Sequence, residues 1–252
     1  MIDTSALAER LDQAAQSARA TTQLSADITV EQAYEIQRLS IARRLSRGER
    51  RIGTKMGFTS RAKMVQMGVS DLIWGRLTDL MLQEEGGDVR IANFVHPRVE
   101  PEIAYLLKQP LVGRVTAMQA FAAVEAIAPA LEIIDSRYEN FKFSLTDVIA
   151  DNSSSSGLII GGWQPRDTDV TNLGIVLSVD GCPKAFGSTA AILGDPIRSL
   201  VAAARMAGES GEELQPGWIV MAGGATAALA LERGSRIQLE VENLGRAAFS
   251  VQ

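Results

Sequence analysis

Three glutamates sit inside runs of apolar, strand-like residues. Glu100 and Glu102 fall in Val99-Glu100-Pro101-Glu102-Ile103-Ala104-Tyr105-Leu106-Leu107, and Glu132 falls in Ala130-Leu131-Glu132-Ile133-Ile134. Taking a carboxylate out of water costs several kcal/mol, so buried carboxylates are paired or bind a metal. On a strand, residues i and i+2 project from one face, which sets Glu100 and Glu102 side by side. Two like charges held together call for a cation. A hard divalent ion with oxygen ligands, Mg²⁺ or Mn²⁺, suits them. Ordinary ion pairs are the alternative: Arg98 shares the face of Glu100, Arg137 follows Glu132 closely, and Pro101 suits an edge or bulge where a carboxylate meets water.

Lys55 lies in Ile52-Gly53-Thr54-Lys55-Met56-Gly57-Phe58, a mostly apolar segment. A lysine drawn into such surroundings has a lowered pKa and serves acid–base chemistry; a surface lysine whose stem lies on apolar neighbours gives the same pattern. Two polar loops offer hydroxyls and backbone N–H groups to a small carboxylate. They are Asp151-Asn152-Ser153-Ser154-Ser155-Ser156-Gly157 and Met221-Ala222-Gly223-Gly224-Ala225-Thr226. Either loop also reads as a plain turn.

Nucleotide signals fail. Gly48 to Lys55 resembles a phosphate loop, but Thr54 precedes Lys55 where the motif needs Lys before Ser/Thr, and no Gly-x-Gly occurs. The single histidine, His96, precedes Pro97 and reads as a structural loop residue. One histidine and one cysteine, Cys182, leave no supply for a His/Cys zinc site and no intrachain disulfide.

The elements that must position these groups follow from periodicity. Thr4 to Arg19 and Val30 to Arg47 read as helices, a further helix begins near Ser60, and Thr116 to Ala128 and Ser188 to Ala207 also read as helical. Strands are expected at Val99–Leu107, Ala130–Ile134, Leu158–Gly161, Gly174–Val179, Trp218–Met221, Arg236–Val241 and Ala247–Val251. Helices early and strands late favour an α+β fold over a doubly wound α/β fold. The Gly86-Gly87 turn marks the boundary between a mainly helical region, 1–85, and a β-rich region, 86–252, within one continuous domain. With 252 residues, 46% hydrophobic and 22% charged, the composition is that of a globular domain with a substantial core. A formal net charge of −5 and a pI near 5.1 argue against nucleic-acid binding. No apolar run reaches bilayer length and the N-terminus lacks a signal-peptide core, so a cytoplasmic location is expected.

Taken together, the segments resemble the hydratase/decarboxylase family of catechol meta-cleavage pathways, related to fumarylacetoacetate hydrolase. They are Lys55-Met-Gly-Phe-Thr-Ser60, Leu77-Thr-Asp-Leu-Met81, His96-Pro-Arg-Val-Glu-Pro-Glu-Ile-Ala104, Leu131-Glu-Ile-Ile-Asp-Ser-Arg137, Asp151-Asn-Ser-Ser-Ser155 and Met221-Ala-Gly-Gly224. Ala62 to Val69 and Ser136 to Phe143 look like the branch that decarboxylates 2-oxo-3-hexenedioate, with the 2-oxopent-4-enoate hydratase branch as runner-up. Asp195 departs from the pattern, standing where the family has histidine.

The resemblance implies a helical N-terminal layer followed by a mixed β-sheet roll or barrel of the fumarylacetoacetate hydrolase C-terminal type. It implies Mg²⁺, with Mn²⁺ as a substitute, at Glu100, Glu102 and Glu132, a catalytic role for Lys55, and Asp79 near the reacting chain. Ser155, Gly224, Thr226 and Arg137 would bind a 2-oxo dicarboxylate substrate, and Arg61, Lys63, Arg76 or Lys142 would meet its second carboxylate. The leaving carboxylate is placed as in a β-keto acid extended by one double bond, so its loss sends electrons through that double bond onto the C2 oxygen, where a Lewis acid stabilises them. A homo-oligomer, and a complex with the hydratase that consumes the unstable dienol product, are the expected assemblies. A non-catalytic partner subunit of that hydratase is the competing reading from another class.

Overall fold

The computed structural model describes residues 2–25, 27–60 and 72–252. The helix expected from near Ser60, the cations Arg61 and Lys63, and the segment 62–69 lie outside the described residues, Ser60 itself excepted.

Two capped helices open the chain. The Asp3 carboxylate accepts the Ala6 N–H ahead of α1 (Thr4–Ser17), and Thr29 and Gln32 form a reciprocal capping box on α2 (Val30–Ser46). Their apolar faces, including Ala8, Leu11, Ala33 and Ile36, pack with Ile73, Tyr138, Val148 and Ile149. Gln37 is fully buried in α2, and its amide donates to the carbonyls of Trp74 and Ile149. That pins the helical layer to the sheet beneath.

The strands run in chain order as β1 (Arg51–Gly57), β2 (Ile73–Thr78), the short β3 (Leu82–Gln83) and β4 (Asp88–Val89), then the long β5 (Pro97–Leu107) and β6 (Val124–Asp135). After these come β7 (Ser155–Ile160), β8 (Gln164–Pro165), β9 (Gly174–Val179), β10 (Cys182–Ser188), β11 (Ile219–Met221), β12 (Leu229–Ala230), β13 (Arg236–Val241) and β14 (Gly245–Val251). Among the described residues, one mixed sheet has the order β2-β1-β11-β5-β6-β7-β3, with β12 on β5 and β8 on β6, and a second has the order β10-β9-β13-β14-β4. Val99, Ile103, Tyr105 and Leu107, on one face of β5, pack in a core with Leu239, Val241 and Phe249 of the second sheet. The other face of β5 carries Glu100 and Glu102. An α+β fold with a curled mixed sheet is therefore what the chain forms, as the segregation of elements and the family resemblance led us to expect.

Two boundaries differ from expectation for physical reasons. The helix expected over Thr116 to Ala128 stops early: α3 spans Ala117–Ala123, and Val124 onward is drawn into pairing with β5 and β8. Sheet burial outweighs local helix propensity there. Within Ser188 to Ala207, the chain leaves β10 through a 3₁₀ turn, and α4 (Ile197–Glu209) begins only after Pro196. Strands β1 and β2 were not foreseen, and they place Lys55 in the same sheet as the three glutamates, across the 85/86 boundary. Glycine obscures them: a Cβ on Gly53 would lie 1.9 Å from the Ile219 carbonyl oxygen, so this strand needs glycine for close approach.

Candidate metal centre and adjoining cavity

Register brings the carboxylates together. Glu100 pairs directly with Glu132 across the antiparallel β5–β6 ladder, and Glu102 follows two residues along on the same face. Their ligand oxygens lie within 4.8 Å of one another, and Glu102 and Glu132 are fully buried. Glu102 Oε2 accepts the Gly223 N–H at 2.8 Å, while Glu102 Oε1 and Glu132 Oε1 have no hydrogen-bond donor. Buried, unsatisfied carboxylate oxygens that converge are what a divalent cation satisfies. The ion-pair alternatives do not account for them. Arg98 makes no ion pair with a described residue, and Arg137 pairs with Asp151.

Lys55 completes the cluster from three strands away. It lies beside Met221 of β11, which lies beside Ala104 of β5, while Glu132 is on β6. Three strand spacings cover about 14 Å on a flat sheet, yet Lys55 Nζ stands 3.0 Å from Glu132 Oε2. Only a curled sheet with its concave face toward these side chains allows that. Burial alone would pull the Lys55 pKa down, as its apolar neighbours led us to expect. Glu132, Glu102 and Glu100 together outweigh burial and raise it, so the resting group is an ammonium. Burial, and then Glu132, push Glu102 well above the ordinary carboxylate range; burial likewise raises Glu132 against the opposing pull of Lys55.

A cavity of about 300 Å³ opens onto Lys55 and Glu100, walled by Phe58, Phe141, Phe143, Ile134, Ser153, Ser154 and Arg98. Phe58, Phe141, Ser153 and Ser154 all hold positive φ, between 51° and 60°. Such backbone is uncommon outside glycine and gathers where the surrounding structure over-determines it, often at functional sites.

The other expected residues distribute as follows. Ser155 begins β7 next to the two lining serines, and its Oγ is buried without a partner. Gly224 is buried in the loop after β11; Thr226 Oγ1 bonds the Ala227 carbonyl at 3.1 Å, and Ala227 and Ala228 line the cavity. Arg137 is turned inward: Nε donates to Asp151 Oδ1 at 2.5 Å, Nη2 to the Asp151 carbonyl at 2.7 Å, and Nη1 to Ser156 Oγ. Asp79 sits at the far end of the β1–β2 pair from Lys55, paired with Arg50 at 3.1 Å and accepting its N–H. Arg76 is held by Glu212 and Gln37, and Lys142 is exposed. His96 is a loop residue whose ring bonds the Ser136 carbonyl. The sequence reading missed Arg98 and the three phenylalanines as cavity residues. Their signal was faint, since Arg98 already had an ordinary explanation as a partner for Glu100.

Carboxylates on paired central strands of a curled mixed sheet define the class. The chain belongs to the fumarylacetoacetate hydrolase family: residues 55–252 match the family described as Fumarylacetoacetate (FAA) hydrolase C-terminal. It is 61% identical, over 98% of its length and 97% of the other, to a 4-oxalocrotonate decarboxylase of Pseudomonas sp.. It is 37% identical to a 2-hydroxypent-2,4-dienoate hydratase of Pseudomonas putida, over 73% of this chain and 85% of that one. Among solved structures it resembles 4-oxalocrotonate decarboxylase from Pseudomonas putida G7, complexed with magnesium and adipate, at TM-score 0.96 and 36% identity, covering 99% of this chain and 97% of that one.

Proposed function

We propose that the chain is a metal-dependent decarboxylase that converts 2-oxo-3-hexenedioate (4-oxalocrotonate) to 2-hydroxypenta-2,4-dienoate and CO₂. One observation carries the reading: three buried carboxylates, two of their oxygens without donors, converge beside an ammonium group at a substrate-sized cavity. The decarboxylase relatives and the magnesium in the Pseudomonas putida structure support it. Glu100, Glu102 and Glu132 would hold Mg²⁺, or Mn²⁺ in its place. When bound, the ion supplies Lewis acidity to the 2-oxo acid end of the substrate.

The chain's own groups do the rest. The bond between C5 and C6 breaks, its electron pair forms C4=C5, the C3=C4 pair moves to C2–C3, and charge collects on the C2 oxygen. Lys55, held as an ammonium on Glu132, faces that charge and supplies the proton that makes the dienol. Ser155 Oγ and the backbone around Gly224 and Thr226 orient the C1 carboxylate. The phenylalanine walls exclude water. Asp79 and Arg137 act through position, one tying β2 to Arg50 and the other tying the end of β6 to the serine loop.

The proposal extends to a homo-oligomer in the cytoplasm and to association with the hydratase that takes up the unstable dienol. Among the described residues no helix is long and apolar enough to cross a membrane.

The test is CO₂ release and ultraviolet absorbance on 2-oxo-3-hexenedioate with Mg²⁺, then with excess EDTA. Metal-dependent CO₂ release is expected. Hydration of 2-hydroxypentadienoate without any CO₂ release would replace this reading with the hydratase one.

A further inference from the structure

We propose that Arg98 binds the carboxylate that leaves as CO₂, and that Phe58, Phe141 and Phe143 form the dry wall of that subsite. The inference rests on the decarboxylase reading. A dianionic substrate needs a cationic group at each end. The carboxylate cluster with Lys55 accounts for one end, and Arg98 is the other cation among the described residues lining the cavity.

Placement on the strand fits the length of the substrate. Arg98 precedes Glu100 by two residues on β5, so it shares the face of Glu100 at a displacement of about 6.5 Å. A six-carbon diacid spans a comparable distance from carboxyl to carboxyl. The other described cations expected to meet the substrate beyond the metal end are engaged or turned away. Arg76 is bound to Glu212, Arg137 to Asp151, and Lys142 points to solvent.

The state of Arg98 is that of a waiting group. Its guanidinium makes no ion pair or side-chain hydrogen bond among the described residues and lies over the Phe141 ring, 4.2 Å from the centroid. A guanidinium held over an aromatic ring keeps N–H donors to offer a carboxylate. The loop that presents Phe141 is held in shape by two consecutive positive-φ residues, Asn140 and Phe141.

This arrangement suits a carboxylate that must be oriented and then lost. The breaking C5–C6 bond has to stand across the plane of the conjugated system for its electrons to enter it, and an anchor at C6 sets that torsion. Neutral CO₂ has no attraction for the guanidinium, so the product side is released. A ground-state anchor of this kind appears mainly in KM.

Calorimetric titration of the Mg²⁺-loaded protein tests the assignment with two probes. Adipate is a six-carbon diacid that reaches both ends of the cavity; oxalate engages only the metal end. In Arg98→Met and Arg98→Gln, adipate affinity should fall about tenfold or more, the loss of one charge-assisted pair. Oxalate affinity should hold, and KM for the diacid should rise in parallel while kcat changes less. Equal losses for both probes, or no loss for adipate, would overturn the subsite. Wild-type turnover separates the two ideas: no CO₂ release, with adipate affinity still lost selectively in the Arg98 variants, refutes the decarboxylase reading and leaves Arg98 as the site for the second carboxylate of a diacid.

Discussion

Glu100 and Glu132 face each other directly across the β5–β6 ladder, a cross-strand pair of like charges at the centre of a sheet. Directly opposed like charges weaken a sheet, and burial deepens the cost. The structure tolerates them because Lys55 Nζ reaches the cluster from β1, across the curl of the sheet, and the Gly223 N–H reaches it from the loop after β11. Gly223 holds φ of +107°, and a Cβ there would collide with Thr59. Partial compensation, with two oxygens left without donors, describes a site arranged for a cation.

Removing one carboxylate separates metal binding from folding. Glu102→Gln should lower Mg²⁺ affinity by at least about 100-fold, beyond the loss typical of outer-shell partners. CO₂ release should collapse with it, while the metal-free protein stays folded because a like charge has been removed. Titration calorimetry and thermal melts with and without Mg²⁺ report both effects; unchanged turnover would refute the ligand assignment.

Removing the ammonium should give the opposite split. Lys55→Met deletes a cation that competes for the same carboxylates, so Mg²⁺ affinity should hold or rise. Turnover should fall by about 10²–10⁴, the range for a general acid. The metal-free protein should lose about 3–5 kcal/mol, because buried carboxylates lose their partner, and added Mg²⁺ should restore much of that stability. A Lys55→Met protein with normal kcat would remove lysine from the chemistry.

The raised carboxylates set a sign for pH dependence. Glu102 and Glu132 titrate above their unfolded value of 4.5, so the metal-free fold retains protons that the unfolded chain releases. Its stability is therefore fullest below that value and falls as pH rises through the folded pKa values. Mg²⁺ must displace those protons, so its affinity should rise with pH. The melting-temperature gain from Mg²⁺ should be larger near about pH 8 than near about pH 5.5. A gain independent of pH would mean that the cluster is already ionised.

Much of this site was legible in the sequence because it breaks a rule. Charged residues at i and i+2 inside an apolar strand stand out, and Gly174–Val179 and Arg236–Val241 form strands with the bounds that alternation suggested. The partner of the glutamates was harder to place. Lys55 reaches Glu132 only through the curl of a sheet, which local spacing does not encode, and the strand that carries it is masked by glycines needed for close packing against β11. The serine loop reads equally as a ligand cradle or a plain turn, and two of its side chains also secure β2. Asn152 exchanges hydrogen bonds with the Arg76 backbone and Ser153 Oγ donates to the Trp74 carbonyl.

Arg137 offers a sharp contrast between an anchor and a ligand. Its guanidinium and the Asp151 carboxylate are both almost fully buried, joined at 2.5 Å, and the pair ties the end of β6 to the loop that supplies Ser153 and Ser154 to the cavity. Arg137→Met leaves Asp151 buried without its partner, which should cost about 3–5 kcal/mol and lower the melting temperature by many degrees. Replacing both members, Arg137→Met with Asp151→Leu, removes the stranded charge and should recover part of that loss. Below the melting transition, KM of the double variant should stay close to the wild-type value. A selective rise in KM at unchanged stability would show instead that Arg137 meets the substrate.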